Sequence, residues 1–167
     1  LIKLEVIGQS PQGRAIYLVK AGTDPDMIGR DGKPVLLAQA GIHSGEIDGK
    51  DAGLMLLRYI AQGDKAHLLA NADLLFIPVL SADGHERRSK TNRMNQRGPL
   101  QQGWRSTAQN LNLNRDYAKA DAPEMQALAQ RLAADGKLAR NWDWGFLSRS
   151  DATTPQSVGI WGALKGS

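Results

Sequence analysis

A histidine and a glutamate lie close together at residues 41–46, in a context that suits metal chemistry. His43 and Glu46 are three positions apart and directly follow the apolar run of residues 34–39, which is typical of a buried strand. At the end of a strand, a neutral imidazole and a carboxylate with this spacing can point at one metal ion. They would supply two of the three protein ligands of a His₂Glu zinc site, in which water takes the fourth position.

The third ligand of such a site is not evident. The histidines of the chain are His43, His67 and His85, and none follows position 85. His67 lies in a polar segment and is interpreted as a solvated side chain, and His85 as a surface or hydrogen-bonding histidine. The chain has no cysteine, which excludes disulfides, thiolate nucleophiles and cysteine-type zinc sites. With two ligands alone, we expect weak zinc binding in which water fills the other positions.

Composition and charge exclude several classes of protein. Of the 167 residues, 41% are hydrophobic and 23% are charged, which is typical of a folded domain, and no apolar run approaches the length of a membrane span. Much of the net charge of +4 lies in residues 85–105, here called the basic loop. No aromatic residue lies among its cations before Trp104, which argues against nucleic-acid binding. A solvated loop and a set of arginines that bind a substrate carboxylate both remain open.

The elements that must position these residues follow from hydrophobic periodicity. We predict a hairpin of strands at residues 3–7 and 15–20 and two buried strands at residues 35–39 and 74–80. Two helices are predicted at residues 47–61 and 123–134. Asp121, Pro123 and Glu124 form a predicted capping box at the start of the last helix. Strands that alternate with helices indicate a doubly wound α/β domain with a mixed sheet. His43, Asp83 and the basic loop follow predicted strands, where ligands gather in such folds.

Three further motifs accompany residues 41–46. They are S-P-Q-G-R at residues 10–14, F-I-P-V-L-S-A-D-G at residues 76–84 and N-L-N-L-N-R-D-Y at residues 110–117. In order and approximate separation, the four motifs resemble those of the M14 family of zinc metallocarboxypeptidases. The resemblance covers residues 1–134. It departs from the family pattern at Ser81 and Ala82, which replace Asn-Pro, and at Asn112, which replaces the usual Asp.

The resemblance implies a fold and a set of site residues. The expected fold is α/β, with a mixed, mostly parallel central sheet and helices on both faces, incomplete at the C-terminus. His43 and Glu46 would bind Zn²⁺, and Asn114 and Arg115 would hold the terminal carboxylate of the substrate. The oxyanion-stabilising arginine of the family is assigned to Arg93 in the basic loop, with Arg97 as the second candidate.

The implied activity is zinc-dependent hydrolysis of C-terminal peptide bonds or related amides, on a peptide or small amide with a free carboxylate. The third zinc ligand and the catalytic glutamate of the family have no match here, so residues 1–134 resemble the N-terminal portion of the catalytic domain. Residues 135–167 form a tail of unassigned structure. No nucleic acid and no membrane span are expected, the oligomeric state is open, and the missing start Met favours an exported protein.

Three other functions are compatible with the same residues. One is a peptide-binding remnant that keeps the carboxylate clamp and has lost the metal. Another is an amidohydrolase-type relative, an N-acyl amino acid deacylase or a cell-wall amidase, with the same His-Glu pair. A basic RNA-binding module is the third, and it predicts strong salt-dependent binding to RNA. Zinc content, a substrate panel and salt dependence distinguish these functions from the peptidase.

Overall fold

Residues 1–94 and 97–136 are described by a computed structural model. They form four strands, three α-helices and two short 3₁₀ helices. The strands are β1 (Ile2–Gln9), β2 (Ala15–Ala21), β3 (Val35–Gln39) and β4 (Asp73–Ile77), the α-helices are α1 (Asp48–Gln62), α2 (Ala82–Glu86) and α3 (Pro123–Ala134), and the 3₁₀ helices are Ala66–Ala70 and Leu113–Arg115. From residue 137 onward, the predicted tail lies outside the described residues.

The strands form one mixed sheet in the order β1-β2-β4-β3. The pairs β1–β2 and β2–β4 are antiparallel, and β3–β4 is parallel. The mixed sheet is thus confirmed, but the expectation of a mostly parallel sheet is wrong. The short turn between β1 and β2 permits only an antiparallel pair, whereas the crossover through α1 from β3 to β4 produces a parallel one.

The buried side chains form two clusters that share the strands. Leu75 and Ile77 of β4 belong to a cluster with Met125 and Leu128 of α3. Phe76, between them, belongs to the other cluster, with Leu57 and Ile60 of α1. Successive strand residues point to opposite faces of a sheet, so each cluster draws on alternate residues of β4.

The segments that bound the site begin and end close to their predicted positions. β3 and α3 have the predicted bounds, and α1 begins one residue later than expected. β4 ends at Ile77, directly before Pro78, because proline lacks the N–H that a further ladder bond would need. The short helix α2, within a segment interpreted as polar loop, was not predicted.

The predicted capping box at the start of α3 is wrong. The N-cap residue is Ala122, and it makes no side-chain capping bond. The carboxylate of Asp116 takes that role, since it accepts hydrogen bonds from the backbone N–H groups of Asp121 at 2.9 Å and Ala122 at 2.8 Å. Glu124 is therefore not a capping residue; its side chain is fully buried, with 0% exposure.

Burial of Glu124 predicts a pH-dependent stability. Neither carboxylate oxygen has a hydrogen-bond partner among the described residues. Burial, with a smaller contribution from the charges of Asp83 and Asp116, raises the pKa of Glu124 above its ordinary value of 4.5. The folded chain therefore holds a proton that the unfolded chain releases near pH 4.5, and stability falls as the pH rises from there through the folded pKa.

Glu124→Gln is expected to remove this loss of stability. The difference in free energy of unfolding, variant minus parent chain, should increase as the pH rises from below 4.5 to neutrality, because only the parent chain loses stability in this range. Urea unfolding at both pH values measures this difference. The exposed Glu86→Gln is the control and should show no such trend, whereas a constant difference for Glu124→Gln would contradict the prediction.

Two glycines of α1 give a matched pair of packing predictions. A Cβ at Gly53 would collide with the ring of Phe76, whereas a Cβ at Gly49 would lie 3.6 Å from the Cβ of Ala40, an ordinary contact. Gly→Ala in a helix normally stabilises by up to about 1 kcal/mol. We expect this gain for Gly49→Ala, and a net loss of about 1–2 kcal/mol for Gly53→Ala, because overpacking outweighs propensity. Urea denaturation measures both, and equal stabilisation would contradict the prediction.

Within the described part of the chain, no helix has the length and apolarity needed to cross a lipid bilayer.

Candidate functional site

The turn between β3 and α1 requires glycine at two positions. Gly41 and Gly45 have φ angles of 60° and 90°, in the region that residues with a side chain rarely adopt. At Gly41, a Cβ would also lie 2.8 Å from the carbonyl oxygen of Pro78. These glycines flank His43 on either side, so the turn presents His43 and Glu46 beyond the carboxyl end of β3, as expected.

His43 and Glu46 are in direct contact. His43 is almost completely buried, with 1% exposure, and its Nδ1 lies 3.0 Å and 3.1 Å from the two carboxylate oxygens of Glu46. The other ring nitrogen, Nε2, lies 2.7 Å from Oδ1 of Asn112. Both functional groups predicted for metal binding are thus within reach of one ion.

The hydrogen bonds of Asn112 decide the tautomer of His43. Oδ1 of Asn112 accepts a bond from the backbone N–H of Asn114 at 3.0 Å, so this atom is an acceptor. Nε2 of His43 must then carry the proton, and in the neutral ring Nδ1 presents a lone pair to the carboxylate of Glu46. Two electron-rich groups at this distance require a cation between them, either a proton or a metal ion. The donor set therefore fits two positions of a zinc coordination shell.

Two arginines of the basic loop surround the carboxylate of Glu46. Nη1 of Arg105 lies 2.8 Å from Oε1 of Glu46, and Nη2 of Arg93 lies 3.6 Å from the same atom. Partial burial raises the pKa of Glu46, but the hydrogen bond with His43 and the charge and hydrogen bond of Arg105 lower it below its ordinary value. Glu46 is therefore a carboxylate, the form that binds a metal ion.

Arg93, the predicted catalytic arginine, lies beside the predicted metal ligands. Its side chain is 7% exposed, and its Nη2 donates to the carbonyl oxygen of Ser44. Its Nε is buried without a hydrogen-bond partner among the described residues. Arg97, the second candidate, is exposed and lines a cavity to which Ser44 and Gly45 also contribute. Of the two arginines, only Arg93 contacts Glu46.

Asn114 and Arg115 lie in the 3₁₀ helix that Asn112 begins. Both are exposed, and Nη1 of Arg115 donates to the carbonyl oxygen of Asn114 at 3.0 Å. Their side chains make no direct bond to His43 or Glu46 among the described contacts. Because Asn112 contacts His43 and caps this 3₁₀ helix, the predicted clamp is joined to the predicted metal ligand through one amide side chain.

Two residues of this site were not assigned from the sequence. Asn112 was noted only as a departure from the family pattern, and Arg105 only as part of the basic loop. Arg105 and Glu46 are 59 positions apart, so no local periodicity predicts their contact. The spacing of Asn112 two residues before Asn114 was the available signal, since an Asn at that position commonly caps a turn.

Two of the sequence motifs meet at the buried carboxylate of Asp83. Oδ1 accepts from the Ser10 hydroxyl at 2.7 Å and from Nη1 of Arg14 at 2.7 Å, and Oδ2 accepts from the backbone N–H of Gln12 at 3.1 Å. These contacts of Asp83 with Ser10, Gln12 and Arg14, here called the Asp83 anchor, link the β1–β2 turn to α2. They join the hairpin to the segment that leads into the basic loop.

The described residues do not complete a three-ligand metal site. Within residues 1–94 and 97–136, no group of three His, Cys, Asp or Glu side chains is arranged to hold a metal ion. Nδ1 of His85 bonds to the carbonyl oxygen of Ser81 at 2.8 Å, and burial lowers the pKa of this histidine. His67 is exposed. Both histidines are placed as interpreted from the sequence, away from the His43–Glu46 pair.

Known structures share this fold. A metallo-carboxypeptidase from Burkholderia cenocepacia superimposes with a TM-score of 0.60 and 22% identity, covering 80% of this chain and 33% of its own. The carboxypeptidase A of Helicoverpa armigera gives a TM-score of 0.59 and 18% identity, covering 81% of this chain and 38% of its own. At these identities, the similarity establishes the carboxypeptidase fold over part of each solved chain.

Sequence comparison extends the match beyond the described residues. Carboxypeptidase Z of Gallus gallus is 27% identical over an alignment of 139 residues that covers 76% of this chain. This chain spans only 19% of that protein. The model of the zinc carboxypeptidase family matches residues 1–157, past the boundary predicted at residue 134. The chain therefore belongs to the zinc carboxypeptidase family, peptidase family M14.

Proposed function

We propose that this chain carries the first part of a zinc-dependent carboxypeptidase site that hydrolyses C-terminal peptide bonds. The observation that carries the proposal is the pair formed by Nδ1 of His43 and the carboxylate of Glu46, 3.0 Å apart and in need of a cation. A bound zinc ion supplies polarisation of the scissile carbonyl and a lowered pKa of its water. The third ligand and the general acid/base are assigned to sequence outside residues 1–94 and 97–136.

The chain's own residues have distinct roles in this proposal. Through Ser44, Arg93 is held against the turn of residues 41–46, here called the metal loop, and its buried guanidinium can stabilise an oxyanion. Such a donor typically contributes about 3 kcal/mol to transition-state stabilisation. Arg115, exposed in the 3₁₀ helix that Asn112 caps, presents a planar fork that suits a terminal carboxylate, and Asn114 adds an amide donor. The clamp would orient the substrate and select for chain ends.

Family membership and the retained His-Glu geometry favour the peptidase over the other functions considered. A remnant without metal would satisfy the same pair with a proton on Nδ1 of His43, so zinc content separates it from the peptidase. An N-acyl amino acid deacylase or cell-wall amidase would use the same pair, and only the substrate distinguishes it. A panel that contains peptides and N-acyl amino acids therefore separates these activities.

The clamp predicts selectivity for a free C-terminus. The chain is expected to bind a short peptide with a terminal carboxylate about tenfold or more tightly than the same peptide with a terminal amide, because a charge-assisted hydrogen bond is lost in the amide. Arg115→Gln should remove most of this difference, whereas Arg58→Gln, an exposed arginine of α1, should not. Calorimetry measures the dissociation constants. Equal affinity for both peptides would contradict the proposal.

A further inference from the structure

A cavity of about 770 Å³ lies next to the metal loop. Ser44 and Gly45, the residues between His43 and Glu46, form part of its lining, and residues 97–99 and 101–103 of the basic loop form another part. Asn114 and Arg115 do not line it. A volume of this size suits a ligand of several residues or a small organic molecule. The cavity is therefore a place for substrate that is distinct from the predicted carboxylate clamp.

The charges that line the cavity are mostly positive. The lining cations are Arg14, Lys50, Arg88 and Arg97, and Glu86 is the acid that the described lining contains. Arg14 is committed to Asp83, and Arg88 lies 3.9 Å from Glu86. Lys50 and Arg97 have neither an ion pair nor a hydrogen-bond partner among the described residues. Two cations are thus uncompensated in the concave surface.

The neighbouring histidine experiences the same positive field. Burial first, and then the charges of Lys50 and Arg88, lower the pKa of His85, which also lines the cavity. His85 is therefore a neutral part of the wall, and it leaves the charge of the lysine and the arginines unaltered. An anionic group in the cavity would meet this charge at close range.

We infer that this cavity is a subsite for acidic side chains on the amino-terminal side of the scissile bond, with Lys50 and Arg97 as the residues that bind their carboxylates. This inference rests on the proposed function for the direction of the peptide. With the terminal carboxylate in the clamp and the scissile bond at His43 and Glu46, the preceding residues of the peptide are assigned to the cavity, because Ser44 and Gly45 between the two predicted ligands line it. Guanidinium and ammonium groups are the natural partners of those carboxylates.

The test compares two N-acetylated tetrapeptides with a free C-terminus, Glu-Glu-Ala-Phe and Gln-Gln-Ala-Phe, by calorimetry on the full chain. The acidic peptide should bind about fivefold or more tightly at low salt, and the difference should shrink at high salt. Lys50→Gln and Arg97→Gln should each lower it about two- to fivefold. Lys65→Gln and Arg58→Gln, exposed cations outside the cavity, are the matched controls and should leave it unchanged.

Two outcomes would overturn the inference. One is equal affinity for the two peptides, and the other is a preference that survives in the Lys50→Gln/Arg97→Gln double variant, whose fold is verified by circular dichroism. Inorganic phosphate, titrated alone, shares the anionic chemistry, and phosphate binding without a peptide preference also overturns it. If the proposed function alone fails, the carboxylate and amide peptides bind equally, while the preference for Glu over Gln and its loss in the variants persist.

Discussion

His43→Ala is expected to abolish specific zinc binding by this chain. His43 supplies the one buried imidazole that faces Glu46, and its Nδ1 lone pair has no substitute among the described residues. Loss of an outer-shell partner of a metal ligand typically costs about 10–100-fold in affinity, and loss of the ligand itself should cost more. Zinc content after dialysis and a competition titration with a chromogenic chelator measure the effect.

His67→Ala is the matched control for this experiment. His67 is exposed and 24 positions from His43, so its removal should leave zinc binding unchanged. Circular dichroism of both variants separates loss of metal from loss of fold. Equal zinc affinity of His43→Ala and the parent chain in the competition titration would contradict the assignment of His43 and Glu46 as ligands.

Asp83→Ala is expected to have the largest effect on stability. The carboxylate of Asp83 is 2% exposed and accepts bonds from Ser10, Gln12 and Arg14, so its loss leaves three donors without their acceptor. Neutral hydrogen bonds contribute about 1 kcal/mol each and charged ones more, and unsatisfied buried donors add a desolvation penalty. We therefore expect a loss of about 2–4 kcal/mol in the free energy of unfolding.

An exposed ion pair provides the comparison for Asp83. Asp26 pairs with Lys3 at 2.6 Å, and its side chain is 65% exposed. Asp26→Ala should cost much less than Asp83→Ala, since solvent screens such pairs. Urea denaturation at neutral pH measures both variants. A loss for Asp83→Ala that is no greater than that for Asp26→Ala would show that the Asp83 anchor does not hold the hairpin to α2.

Local patterns were sufficient for the secondary structure near the site. The bounds of β3 and α3 were predicted correctly because a continuous apolar run and a periodic helix bounded by Pro123 are signals within a few residues. The direction of strand pairing is a non-local property. The expectation of a mostly parallel sheet failed because it was taken from the resemblance, whereas the described strands include two antiparallel pairs.

The acidic residues near α3 also show that a local sequence pattern does not predict non-local contacts. Asp121 and Glu124 have the spacing of a capping box, yet Asp116 makes the bonds to the backbone and Glu124 is buried. A sequence pattern states which side chains are able to cap a helix. Whether they do depends on the approach of another segment, here the 3₁₀ turn that ends before Asp116.

By itself, the sequence determined the family and singled out His43 and Glu46 as the candidate metal ligands. The turn that carries His43 and Glu46 is local, since two glycines and a strand end suffice to direct both side chains to one point. Tertiary structure alone decided which distant groups complete the site. Asn112 sets the tautomer of His43, and Arg93 and Arg105 neutralise Glu46. These partners are 47 to 69 positions apart in the sequence, and hydrophobic periodicity does not predict contacts at such separations.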